Sequence, residues 1–230
     1  MRRFLPLLVV LALVTAACGG SGGGQKTTTS GTPTARDPGK AAVAALIQAA
    51  ARHDAGALWN ILSRPSQQRL GPTLSAFRSR SAPAIEQALK PFENTSAAPF
   101  ISQGVSQQFG IVAIRSGARA RAFPLRRENG AWKIETPGPV QFQILGPQPG
   151  SRGPVAQIGV EVRSPGVLGD AIIFVDGKAV QPTLAPGPKS ATVFANLQPA
   201  LPAGVHIAVI YAEEGRDASA EAWTFTATKP

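Results

Sequence analysis

The feature that most constrains this chain is a change of hydrophobic period near Pro99. Before it, apolar residues recur at helical spacing. Val43, Leu46, Ile47 and Ala50 form one stripe behind Asp37-Pro38, where Asp suits the cap and Pro the first helical turn. His53-Asp54-Ala55-Gly56 then breaks the pattern, and Leu58, Trp59, Ile61 and Leu62 predict a short second helix. Pro65, Gly71 and Pro72 are expected to fragment the next stretch of chain, and a third helix is expected over 83–90.

Beyond Pro99 the period becomes two. Strands are expected over 109–115, 118–128 and 131–135, the second interrupted at Pro124. Ser116-Gly117 and Asn129-Gly130 supply the turns, and Asn-Gly between strand formers is a strong hairpin signal. Helices followed by an antiparallel meander predict an α+β unit, with helices packed on one face of the sheet. The Pro- and Gly-rich stretch 137–154 contains one apolar strand, 140–145. Further short strands are expected over 155–162, 171–175, 178–180, 191–197, 205–211 and 222–228, which predicts an all-β sandwich. The expected division is therefore 37–138 for the α+β domain and 139–230 for the sandwich.

Two motifs carry resemblances to known families. "AAVAALIQAAARHDAGALWNILS" with the later "LRRENGAWKIE" resembles the cone-like fold of nuclear transport factor two and the ketosteroid isomerases, in the form common in actinobacterial lipoproteins. "LPAGVHIAVIYAEEGRDASAEAWTFTA" resembles the last two strands of bacterial immunoglobulin-like domains. The first implies a fold that hosts enzymes, binders and spacers. The second implies an adhesion or spacer module.

The amino end predicts export. Arg2 and Arg3 precede an uncharged run to Ala17, too short for a membrane span and broken by Pro6. Val14-Thr15-Ala16-Ala17-Cys18 resembles the lipobox of bacterial lipoproteins, which implies a signal peptide over 1–17 and a fatty-acylated (diacylglyceryl, palmitate-type) Cys18. Two acyl chains give a stable anchor where one is marginal. Residues 18–36, mostly Gly, Ser and Thr, then form a disordered tether reaching about 20–25 Å. The expected location is the extracytoplasmic face of the cell membrane. With the sole cysteine at the anchor, no disulfide or cysteine metal site is available further on.

The formal charge of +10 is uneven. Residues 36–138 hold 14 Lys and Arg against 6 Asp and Glu, whereas 139–230 hold 6 against 7. A basic domain beside a lipid anchor suggests an anionic lipid or wall polymer, or a protein partner; export argues against nucleic acid. Arg115, Arg119, Arg121, Arg126 and Arg127 are the candidate anion-binding residues, since guanidinium recognises phosphate and carboxylate bidentately. The alternative reading of these charges and Pro124 is protection of a strand edge.

Chemistry is sparse. His53 reads as a helix-end residue, and His206 as a solvent-side strand residue opposite the Val205 face. Glu213, Glu214 and Asp217 read as an acidic turn. The isomerases' Asp base and Tyr donor have no counterpart, because the first domain lacks Tyr and neither Glu128 nor Glu135 maps onto a role. Gly19-Gly20-Ser21-Gly22-Gly23 satisfies a nucleophile-elbow pattern without its strand and helix. No catalytic set, metal site or cofactor is expected. The leading expectation is a non-enzymatic anchored lipoprotein that binds an envelope partner or anionic surface. A second reading is a small-molecule or lipid carrier whose cone cavity is lined by Phe109, Ile111, Phe123 and Trp132; an isomerase or dehydratase is a weaker third.

Overall fold

A computed structural model describes residues 37–95, 101–105, 107–186 and 190–229. The signal, Cys18 and tether readings lie outside these residues.

Side-chain caps delimit the helical layer. Asp37 Oδ1 accepts the Gly39 and Lys40 N–H groups and starts α1 (Pro38–Ala51). Asp54 caps α2 (Ala55–Ile61), Ser63 caps α3 (Arg64–Leu70) and Thr73 caps α4 (Leu74–Arg80). Each of these side chains satisfies amides that a helix start leaves without internal partners. The segment expected to be fragmented is thus two short helices. Pro65 sits in the first turn of α3, and Gly71 ends that helix at φ +148°, where a Cβ would meet Phe77 N at 2.8 Å. Helix α5 (Ala82–Leu89) and a 3-10 turn (Lys90–Phe92) complete the layer.

Strands β1 (Ile101–Gly104), β2 (Phe109–Ser116), β3 (Arg119–Glu128) and β4 (Ala131–Ile134) form an antiparallel meander in chain order. Strand β1 was not among the expected strands. Pro124 does not interrupt β3: it pairs with Ile111, and its carbonyl accepts the Glu135 N–H. Its missing N–H falls on the side of β4, where pairing ends. Alternation then divides the sheet's side chains. Val112, Ile114, Phe123, Leu125 and Ile134 share a core with Val43, Leu46, Leu58 and Phe77 of the helices. Phe109, Ile111, Ala113 and Ala122 face the other way.

The remainder is a two-sheet sandwich: β5 (Gln141–Gly146), β6 (Arg152–Gly153), β7 (Gln157–Arg163), β8 (Leu168–Val175), β9 (Lys178–Val180), β10 (Pro182–Pro186), β11 (Ser190–Asn196), β12 (Gly204–Glu214) and β13 (Asp217–Ala227). Strands β6 and β10 were not expected. The orders β5-β7-β11-β10 and β6-β13-β12-β8-β9 match the two-sheet strand order of an immunoglobulin sandwich, with β6 parallel to β13. Asp176-Gly177 and Asn129-Gly130 turn their hairpins with positive φ at both residues, as such two-residue turns require.

Val160, Val162, Ile173, Val193, Ile210, Trp223 and Phe225 fill the space between the two sheets. The outer face of the five-stranded sheet is covered as well. Phe174, Ile207, Val209, Tyr211 and Ala218 join Phe109, Ile111, Ala113 and Ala122 of the meander in one cluster. The layers are therefore helices, meander, five-stranded sheet and four-stranded sheet, and the described residues pack as one compact unit. No helix among the described residues is long and apolar enough to cross a membrane.

Candidate functional site

Where β4 leaves the meander, Glu135 is 1% exposed. Its carboxylate accepts from Ser63 Oγ at 2.7 Å, Arg69 Nη2 at 2.7 Å and Arg126 Nε at 2.7 Å. The Ser63 cap positions the first donor, and Ser66 Oγ lies 2.8 Å from Ser63 Oγ while accepting the Thr136 N–H. Arg69 reaches on to Asp217 Oδ1 at 2.8 Å, and Arg126 donates to the carbonyl of Arg216. Arg126 also lies 4.9 Å above the Phe109 ring. The network thus ties α3, the meander and the β12–β13 turn together. Three donors satisfy this buried carboxylate, and breaking one such pair leaves charge buried without a partner.

The five candidate arginines do not form one ladder. Arg126 is committed to this network and is corrected out of the surface set, because alternation turns it to the sandwich side of β3. Arg121 is half-buried, 5.7 Å over Phe123 and 3.5 Å from the Ala88 carbonyl; burial lowers its pKa. Arg119 and Arg127 are exposed, and Arg115 is half-buried near the β2–β3 turn.

The four candidate cavity residues are likewise divided. Phe109 and Ile111 point toward the sandwich, whereas Phe123 and Trp132 pack with the helices, so they line no common cavity. Between α1, α5 and β3 lies a cavity of about 60 Å³, walled by Leu46, Ile85, Leu89, Arg121 and Phe123. That is room for about two waters, far below the 300–1,000 Å³ typical of ligand pockets.

Both histidines have carboxylate partners. His53, at φ +53° after α1, places Nδ1 2.6 Å from Glu86 Oε2. His206 is 4% exposed, which corrects its assignment to solvent: Nδ1 lies 2.6 Å from Asp176 Oδ2, and Nε2 2.8 Å from the Pro202 carbonyl. Its ring stacks on Phe225 at 5.6 Å inside the sandwich. Val205 is the exposed neighbour, at 52%. Tyr211 is fully buried and hydrogen-bonded to Glu213; burial first, and that carboxylate second, push its pKa far up. Among the described residues no three His, Cys, Asp or Glu side chains could hold a metal ion together.

Five of the six carboxylates of the helical half are engaged, and the sixth, Glu93, is exposed. Asp37 and Asp54 cap helices, Glu86 meets His53, Glu128 accepts the Arg64 N–H and Glu135 is buried. Arg52, Arg64, Arg78, Arg80 and Lys90 are exposed without a carboxylate partner among the described residues, as are Arg119 and Arg127. Sequence counting found the excess charge but not this sorting, although the caps at Ser63 and Thr73 carried the signal for α3 and α4.

No protein-family model matches the chain. Over 63 residues, 27% of its length, the chain is 43% identical to Tricorn protease homolog 1 of Streptomyces coelicolor, and it spans only 5% of that protein's length. Among solved structures it is similar to the methionine-rich copper resistance protein PcoC of Escherichia coli, at 18% identity and TM-score 0.26 over 34% of this chain and 87% of that one. The titin immunoglobulin tandem A164–A165 is similar at 10% identity and TM-score 0.28, over 59% of this chain and 84% of that one.

Proposed function

We propose that this chain is a non-enzymatic lipoprotein, anchored through Cys18 at the extracytoplasmic membrane face, whose cone-like helical half docks on an anionic envelope surface. The observation that carries the reading is the sorting of charge. Five of the six carboxylates between residues 37 and 135 are held by helix amides, His53 or the buried network, while seven cations are exposed without a carboxylate partner among the described residues. Each well-placed cation near an anionic surface contributes about 1 kcal/mol, within a Debye length of about 8–10 Å. Arg119 and Arg127 belong to this outward set, and the long α1, the Asn129-Gly130 hairpin and Trp132 support the nuclear transport factor two-like reading of the half that carries them.

The test is cosedimentation of the soluble chain with vesicles of phosphatidylglycerol or of phosphatidylcholine, beside a parallel titration with teichoic acid. Binding to an anionic probe that weakens steeply with salt is expected, and which probe binds identifies the surface. Equal binding to neutral vesicles, or anionic binding indifferent to salt, would overturn the reading.

A further inference from the structure

His206 is buried near the start of β12, where three other parts of the sandwich meet on its ring. From the β8–β9 turn, Asp176 Oδ2 lies 2.6 Å from Nδ1, and from the loop between β11 and β12 the Pro202 carbonyl lies 2.8 Å from Nε2. From β13, Phe225 stacks on the ring. Asp176 is itself fixed: its Oδ1 accepts the Ile207 N–H at 3.0 Å, and its backbone belongs to the two-residue turn with Gly177. The other charged side chains on the adjoining elements are Arg152 of β6, Lys178 of β9 and Lys229 beyond β13. All three are exposed, and among the described residues none is hydrogen-bonded to the ring.

Both polar partners of the ring can only accept. A carboxylate and a backbone carbonyl have no hydrogen to give, so the two bonds coexist only when both ring nitrogens carry one, which is the imidazolium. The neutral ring has a single N–H and must choose. Donating from Nε2 to Pro202 would leave the Nδ1 lone pair facing an anion at 2.6 Å, whereas donating from Nδ1 keeps the charge-assisted bond and leaves the Nε2 lone pair facing an uncharged carbonyl. The second arrangement costs less, so the contact with Pro202 is the one that fails. The loop has little else to hold it. Residues 198–203 make no backbone–backbone hydrogen bond among the described residues, and apart from His206 they rest on the Leu201 side chain against the sandwich core.

We infer that His206 is a pH-operated latch on the β11–β12 loop: the imidazolium closes residues 198–203 onto the sandwich, and loss of its proton releases them while the β8–β9 turn stays in place. Release frees Leu201 from the core it packs on and opens that end of the sandwich as the surroundings turn alkaline. The latch lies wholly within the sandwich and is independent of the cationic helical half.

The test is nuclear magnetic resonance of isotope-labelled protein from about pH 5 to about pH 9. Ring nitrogen shifts report the protonation of His206, and heteronuclear NOEs of Ala200, Leu201 and Ala203 report the order of the loop. Expected is a loop that is ordered while the ring is doubly protonated and whose NOEs fall in the same step in which the ring loses its proton, with the order of Ile207 unchanged. Asp176→Asn separates charge from shape. Its amide can donate to Nδ1 of a neutral ring, whose Nε2–H then serves Pro202, and asparagine suits the turn. The loop of this variant should stay ordered across the whole range. The inference is overturned if the ring is neutral while the loop is ordered in the parent, or if the order of the loop ignores the step. It is equally overturned if Asp176→Asn loosens the loop with pH as the parent does.

Discussion

The five-stranded sheet is buried on both sides, yet its two neighbours bury it by different means. Toward the four-stranded sheet it meets large hydrocarbon side chains, with Trp223 and Phe225 filling the gap. Toward the meander, Ala218, Ala220 and Ala222 share a cluster with Ala113, Ala120 and Ala122 of the meander and with the large aromatics Phe109, Phe174 and Tyr211. The second contact also has a polar rim. Thr224 Oγ1 donates to the Ala118 carbonyl at 2.6 Å, and the Glu135 network closes the other end. An apolar centre inside a hydrogen-bonded rim is how separately folded surfaces meet. The difference teaches that both contacts bury aromatics and alanines, and that the junction adds to its apolar centre a register set by hydrogen bonds and charge at the rim.

The largest expected effect tests volume. Phe225→Ala should cost about 4 kcal/mol, lowering Tm by about 10 °C for a unit of this size. A loss under about 1 kcal/mol in a denaturant titration would mean the sandwich core is loose.

Next comes charge at the junction. Glu135→Leu leaves Arg69 and Arg126 without their shared partner and should cost about 3 kcal/mol. Hydrogen exchange should then rise first in β3 and β13. Exchange rising uniformly, or a variant more stable than the parent, would show that the network does not hold the junction.

Tyr211 sharpens the contrast, because it is the chain's single tyrosine and lies in the junction. Its folded pKa is raised above the unfolded value, by burial and by Glu213. Its contribution to stability is therefore fully present below about pH 10, the ordinary phenol value, and is lost as pH rises beyond it. Tyrosinate absorbance should appear only together with unfolding, and Tyr211→Phe should flatten the alkaline loss of stability. Tyrosinate formed in the folded protein near pH 10 would contradict this placement.

Asp217→Asn removes a partly exposed partner of Arg69 and should cost under about 1 kcal/mol, less at high salt. Smallest of all, Arg119→Glu with Arg127→Glu should leave stability within about 0.5 kcal/mol while weakening vesicle binding several-fold. Unchanged vesicle binding would remove these two arginines from the docking surface.

Much of the fold was legible because its signals are local. Asp37-Pro38 starts α1, and Asn129-Gly130 and Asp176-Gly177 turn their hairpins, from rules spanning a few residues. The candidate site was far less legible. Arg126 and Arg127 are adjacent and chemically identical, yet one is engaged with a buried carboxylate and the other is exposed. Phe109 and Phe123 are both apolar strand residues, yet they face opposite layers. His206 has the spacing of the polar side of an alternating strand, but the other sheet covers that side and Asp176 and Pro202 satisfy its ring. Alternation of period two says that a strand has two faces, and it cannot say that a further layer covers the second.

The sequence by itself determined the helix caps, the turns, the order of helices before strands and the excess of cations in the first half, because each is written in neighbouring residues or in composition. Only the tertiary structure decided that the meander stacks on the five-stranded sheet and that Glu135 joins Arg69, Arg126 and Ser63. The hydrogen bonds that close this junction join residues from 9 to 148 positions apart. No local rule couples such positions; burial of area and pairing of charge select them when the layers close.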